Sequence, residues 1–211
     1  MKPSSLAFVA LALAVAGTSL HAQSQPQTQA PRPARSRADE TLAMWNDIGN
    51  KLIAMAQDFP EDKYDFRVQK DQRTFAQNIL HVAAADYDLM SSVAGSTLGP
   101  DFGKDAHNPS RDVYKTKADV VKLIQQAVAD GANLIQQQGD AGLDKTTKYA
   151  WGNRLVHNSY TWLVAIEHSA EHLGQLAVYY RANNMVPPES RRQGRKQFPT
   201  PAPRMCGLQE R

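Results

Sequence analysis

His168 and His172 stand four residues apart, one turn of a helix, so both imidazoles leave the same face and can reach one point. Imidazoles at that spacing are suited to a metal. They favour zinc, nickel, copper or iron, whereas magnesium and calcium prefer oxygen. Two ligands seldom suffice, and His81 is the candidate for the third. It lies in a stretch with no charged residue between Arg73 and Asp86, midway along a helical pattern. Alone it would be an ordinary core or surface histidine; a histidine pair on another helix makes it a ligand candidate. Three histidines leave a coordination position open. An ion held in that way lowers the pKa of a bound water, or holds a thiolate, near neutral pH.

Other residues near this triad have chemistry of their own. Glu171, three residues from His168, can orient an imidazole or a water and is the catalytic acid–base candidate. Gln175 is about one turn from His172, and Tyr179 follows on the same stripe; both can support the ligands. Asp86 falls on an apolar stripe, where a carboxylate must be hydrogen-bonded or hold a raised pKa. His157 shares the stripe but sits about 16 Å from His168 by helical rise, too far for the same ion. His107 belongs to a loop and Cys206 to the C-terminal tail. The run His168-Ser-Ala-Glu171-His172 also spells H-x-x-E-H, a metallopeptidase pattern that needs a further acidic ligand downstream. The acids after His172 are Glu189 and Glu210, both in a basic tail, so a peptidase is not expected.

The elements that must position these residues are helical throughout. Trp45, Ile48, Leu52, Met55 and Phe59 step by three and four, and Pro60 ends that helix. Phe75, Ile79, Val82, Leu89 and Val93 mark a second helix, with Asp71 as its expected cap and Gly95 as its stop. Thr116 and Asp119 resemble a capping box opening a third, lined by Val121, Ile124, Val128 and Ile135. Gly139 and Gly142 break it. A fourth runs from about Asn153 to Ala182. Its residues 155–180 carry only Glu167 and Glu171 as charges, which predicts a helix enclosed nearly all round. No period-two strand is expected. The fold class is all-α: a four-helix bundle whose linkers at 95–115 and 139–152 are long enough for a crossover connection.

The 211 residues divide into 1–22, a leader with Lys2 before the apolar run Leu6–Gly17; 23–37, a flexible Gln/Pro/Ser-rich stretch; 38–188, the bundle; and 189–211, a basic tail. The leader reads as a secretory signal peptide, implying a periplasmic or secreted protein without a membrane span after processing. One cysteine excludes an intrachain disulfide and a multi-cysteine metal site. Residues 41–188 hold 14 basic and 17 acidic side chains, so the overall charge of +3 comes from the tails. A specific nucleic-acid partner is therefore not expected. A second copy of the chain, forming a homodimer, is an open expectation.

His81 on the second helix, followed on the last by His168-x-x-x-His172-Leu-Gly174-Gln175, resembles the DinB/YfiT-like family. The flanks agree: Phe75-Ala-Gln-Asn-Ile-Leu before His81, and Tyr179-Tyr-Arg-Ala-Asn-Asn-Met-Val-Pro-Pro188 at the exit. The resemblance covers about 40–188. It implies a four-helix bundle holding a divalent metal, zinc or nickel, on His81, His168 and His172. It further implies a metal-dependent enzyme that hydrolyses a small molecule or transfers a small thiol. An exported member departs from a cytosolic thiol partner. The alternative is a non-catalytic bundle that holds a metal or ligand, and a triad facing a cavity with room for substrate separates the two.

Overall fold

The computed structural model describes residues 33–103 and 105–192; the leader, most of residues 23–37 and all but the start of the basic tail lie outside them. Four long helices form the bundle: α1 (Arg37–Asp58), α2 (Phe75–Ala94), α3 (Lys117–Leu143) and α4 (Asn158–Ala182). Each begins or ends on a local signal. Ser36 caps α1 by accepting from the Asp39 N–H. Thr74, not Asp71, caps α2, in a reciprocal capping box with Gln77. Gly95 ends α2 in the left-handed conformation that glycine adopts without strain. The Thr116–Asp119 box opens α3 as expected, and Gly139 (φ 56°) kinks it one turn before its end.

Helix pairing sets the topology. α1 packs on α3 and α4, and α2 packs on the same two, so α1 faces α2 and α3 faces α4 across the diagonals. Side-chain contacts give the directions. Arg37 bonds Asp144, and Lys117 reaches the Phe59 carbonyl, so α1 and α3 are antiparallel. The Phe75 ring meets Tyr179 and Tyr180, so α2 and α4 are antiparallel. Trp45 against Trp162 and Phe59 against Tyr180 make α1 and α4 parallel. Tyr87 bonds Asp130, and Gln138 bonds the Val93 carbonyl, so the adjacent α2 and α3 are also parallel. Two adjacent parallel helices need a connection that travels the length of the bundle. Residues 95–116 supply it, and this is the expected crossover.

Three features differ from the sequence reading. The 139–152 linker is not coil leading into an early helix. Thr146–Lys148 and Leu155–His157 form a two-stranded antiparallel ladder, and α4 starts only at Asn158. Asn158 is buried and fixes that start: its N–H donates to the Lys145 carbonyl at 2.8 Å and its amide to the Gly142 carbonyl at 2.9 Å. Second, α4 is not enclosed all round. Its buried residues occupy an arc centred roughly 70° from His168 at 100° per residue, and Tyr160, Leu163 and Val178 are exposed on the far side. Third, the basic stretch after Pro187 opens with a short helix, α5 (Pro188–Arg192). Arg191 docks there on Asp58 in a two-pronged ion pair at 2.8 and 2.7 Å. Among the described residues no helix is long and apolar enough to cross a membrane.

The α1–α3 contact is close because two glycines permit it. The Trp45 indole lies over Gly131 and donates to the Val128 carbonyl at 2.9 Å. A Cβ on Gly131 would meet the Trp45 ring at 2.3 Å. Trp45 is fully buried and cannot step aside, so the Gly131→Ala clash should outweigh the gain of about 1 kcal/mol in helix propensity. Overpacking of this kind typically costs about 1–3 kcal/mol. Urea unfolding of the Ala variant should therefore show a net loss of stability; an unchanged or raised midpoint would show that the helices separate freely.

Candidate metal centre

The antiparallel pairing of α2 and α4 brings His81, His168 and His172 together. One ring nitrogen from each lies within 4.8 Å of the others. The Nε2 atoms of His81 and His168 are 3.3 Å apart. Two imidazole nitrogens bound tetrahedrally to one ion at about 2.0–2.1 Å stand about 3.3 Å apart. His172 is buried, and His81 and His168 are half-buried.

Hydrogen bonds decide which nitrogen each ring turns inward. His81 Nδ1 contacts the His107 carbonyl at 2.6 Å. A carbonyl only accepts, so Nδ1 carries the proton and Nε2 keeps its lone pair. His172 Nδ1 faces Asn78 Oδ1 at 3.1 Å. The Asn78 amide nitrogen is committed as a donor to the Tyr179 hydroxyl at 3.0 Å and the Thr74 carbonyl at 3.2 Å. Its oxygen therefore accepts from His172, whose Nε2 is also left with a lone pair. The Tyr179 hydroxyl donates in turn to the Arg73 carbonyl. His168 Nδ1 is buried without a partner, so the contact with His81 alone sets this ring's tautomer. Without an ion, its Nε2–H donates to His81. His168 would ligate an ion between the rings as the tautomer protonated on Nδ1, with Nε2 of all three rings as the donors. The donor set and its spacing thus fit a first-row divalent ion.

Burial also keeps the rings neutral, the state that ligates. Desolvation, reinforced by the neighbouring histidines, pushes the pKa of His168 down to about 4 and that of His172 down to about 3. Desolvation also lowers His81, against the opposing bond to His107. The Arg73 guanidinium depresses all three.

The other candidates fall at different distances from the centre. Asp86 is buried between α2 and α4, accepts from Ser169 Oγ at 3.3 Å and has a pKa raised well above the carboxylate range by desolvation. It meets the sequence expectation, one residue away from His168 through Ser169. Glu171 and Gln175 are exposed. His157 sits at the N-cap of α4, its Nδ1 on the Asp144 carbonyl at 2.9 Å, apart from the triad. Three contributions escaped the sequence reading. The His107 carbonyl, from the crossover, orients His81. Asn78 orients His172; its position three residues before His81, on the same helix face, was the available signal. Trp151, between the two short strands, sets its ring edge-on to His168 with centroids 5.2 Å apart, and its indole N–H bonds Asp88 at 2.7 Å.

A cleft of about 580 Å³ is lined by Asp71, Arg73, Asn78, Asn108, Gln175 and Tyr179; the three histidines do not line it, and Asn78, which holds His172, links it to the triad. Its volume lies in the range of small-molecule sites.

In comparisons with known proteins, the family described as the DinB superfamily matches residues 23–176. No curated protein matches the sequence. Among the solved structures that share the fold are three Bacillus proteins. A DinB-like protein from Bacillus cereus ATCC 10987 has a TM-score of 0.60 at 16% identity, over 71% of this chain and 95% of that one. The DinB-like YjoA from Bacillus subtilis has a TM-score of 0.55 at 17% identity, over 70% and 93%. YfiT from Bacillus subtilis, described as a probable metal-dependent hydrolase with an unusual four-helix bundle topology, has a TM-score of 0.53 at 14% identity, over 74% and 94%.

The depressed histidine pKa values predict a pH dependence. An unfolded histidine takes up its proton near pH 6.5, whereas folded His168 and His172 do so only near 4 and 3. Between those limits the unfolded chain binds more protons, so stability is full above pH 6.5 and falls as the pH drops. Metal-free protein should lose more stability from pH 7.5 to 5.0 than a His168→Gln/His172→Gln double variant does. Parallel losses, read by denaturant unfolding at the two pH values, would show that these rings titrate normally.

Proposed function

We propose that this chain, which belongs to the DinB superfamily, is a metal-dependent hydrolase of small molecules centred on His81, His168 and His172. One observation carries the reading: three neutral ring nitrogens converge within 4.8 Å, and Asn78, which holds one of the three rings, also lines a cleft of about 580 Å³. That arrangement favours an enzyme over a bundle that merely stores an ion. A zinc or nickel ion in this donor set supplies Lewis-acid activation of water and of a substrate carbonyl.

The chain's own residues supply the rest. The His107 carbonyl and Asn78 hold two of the imidazoles in the ligating tautomer. Gln175 and Tyr179 stand on the cleft wall, within reach of polar groups on a substrate. Glu171, exposed one residue before His172, takes the part of proton acceptor and donor, since a solvated carboxylate can pass a proton to bulk water. Asp86 is not a cleft residue; it braces Ser169, next to His168. The Lys2 charge and the apolar run Leu6–Gly17 support export to the periplasm. Export removes the chain from cytosolic thiols and so favours hydrolysis over thiol transfer.

A ligand bound only to the native state stabilises it by about 2.7 kcal/mol at 100 times its dissociation constant. For a domain of this size that is a rise of about 5–10 °C in melting temperature. Zinc or nickel should produce such a rise in the parent protein and in His157→Ala. It should be largely absent in His81→Ala, His168→Ala and His172→Ala. Zinc should also switch on hydrolysis of 4-nitrophenyl butyrate in the parent and in His157→Ala but in none of the three triad variants. A full thermal response in His81→Ala would rule the triad out; a normal response without ester turnover would count against the hydrolase.

A further inference from the structure

Three arginines on this protein are held in two-pronged ion pairs. Arg37 pairs with Asp144, Arg111 with Asp65 and Arg191 with Asp58, each through two nitrogens. Arg73 makes no ion pair among the described residues and is the arginine on the wall of the cleft next to Asn78. Its Nε donates to Asn108 Oδ1 at 2.9 Å, and the Asn108 amide nitrogen is itself held by both Asp105 carboxylate oxygens at 3.1 Å. The crossover thus grips the guanidinium at Nε. That leaves the paired Nη groups, the fork that matches a carboxylate.

The backbone of Arg73 is fixed as well. Its carbonyl accepts from the Tyr179 hydroxyl, which accepts from Asn78, which in turn holds His172. Thr74, the next residue, caps α2. The Arg73 backbone is therefore tied to the histidine cluster through two side chains, Tyr179 and Asn78. Holding a half-buried arginine in place without a carboxylate is costly unless something else takes the charge. Asp71 is the one acidic residue lining the cleft, and it is not paired with Arg73. Arg67 lines the adjoining groove rather than this cleft and donates to the Gln72 carbonyl at 3.1 Å.

From this arrangement we infer that the cleft is a carboxylate-binding subsite: Arg73 anchors the carboxylate of a small organic acid whose remainder extends toward His172. The inference rests on the hydrolase reading for the identity of the bound molecule as substrate, and names its class as a carboxylate-bearing one. One planar fork matches a carboxylate; a phosphate dianion would call for further donors.

The test separates the two claims. Succinate binding to the full chain, measured by calorimetry with chelator present, reads the subsite without a bound ion to compete for the carboxylate. The parent should bind succinate, Arg73→Gln should bind at least tenfold more weakly, and Arg73→Lys should recover part of the loss. Asn108→Ala, which frees the guanidinium, should fall between. Melting temperatures within a few degrees of the parent show that the variants fold. No succinate binding at millimolar concentration, equal binding by Arg73→Gln, or tighter Arg73-dependent binding of inorganic phosphate would each overturn the inference. With zinc added, mono-4-nitrophenyl succinate should be preferred to 4-nitrophenyl butyrate, and Arg73→Gln should raise KM for the former alone. If both esters turn over without an Arg73-dependent preference, the subsite is wrong and the hydrolase stands. If succinate binds through Arg73 but neither ester reacts, the subsite stands and the hydrolase does not.

Discussion

Two hydrogen bonds at Nδ1, from His81 to the His107 carbonyl and from His172 to Asn78, determine what this bundle can hold. Each parks a proton on the outer nitrogen and leaves the inner one as a lone pair. Without an ion, the His81 lone pair accepts from the His168 Nε2–H, and the His172 lone pair has no protein donor among the described residues. Protonating the rings is no escape, since desolvation holds the pKa values of His168 and His172 several units below that of a free imidazole. A cation is what relieves the arrangement, and His168, with no partner at Nδ1, is the ring free to adjust to it.

The topology exists in service of this contact. α2 and α4 must be adjacent and antiparallel for His81 to meet the His168–His172 pair. Their neighbours α3 and α1 then run parallel to them, and the long 95–116 connection must cross the bundle. It crosses over the site, where it delivers the His107 carbonyl to one imidazole and Asn108 to Arg73. The two-stranded ladder before α4 does the matching task at the other edge, setting Trp151 against His168. Gly49 and Gly131 let α1 approach α3 on the opposite side, closing the core behind the site.

Much of this was legible in the sequence because it depends on side-chain type and spacing. The i,i+4 histidines, the uncharged stretch around His81, the Pro60 and Gly95 stops and the Thr116–Asp119 box all carry local signals. What escaped depends on backbone atoms or on long-range register. The His107 carbonyl is a group every residue owns. Strands of three residues are too short for period-two alternation to show, and Asn158 anchors the start of α4 through distant carbonyls. Thr74 displaced Asp71 because the reciprocal partner, Gln77, lay three residues on. The scarcity of charge on α4 suggested enclosure, yet isolated apolar residues such as Leu163 and Val178 sit comfortably at a protein surface.

The central claim is that three imidazoles present Nε2 to one ion, and histidine side-chain ¹H–¹⁵N correlation spectra before and after one equivalent of zinc test it directly. His81 and His172 should carry their protons on Nδ1 in both states. His168 should move its proton from Nε2 to Nδ1 as zinc binds, and all three Nε2 resonances should shift to values typical of metal ligation. His157 should not respond. Zinc-induced shifts at His157, ligation through Nδ1 of His81 or His172, or no change at His168 would contradict the account.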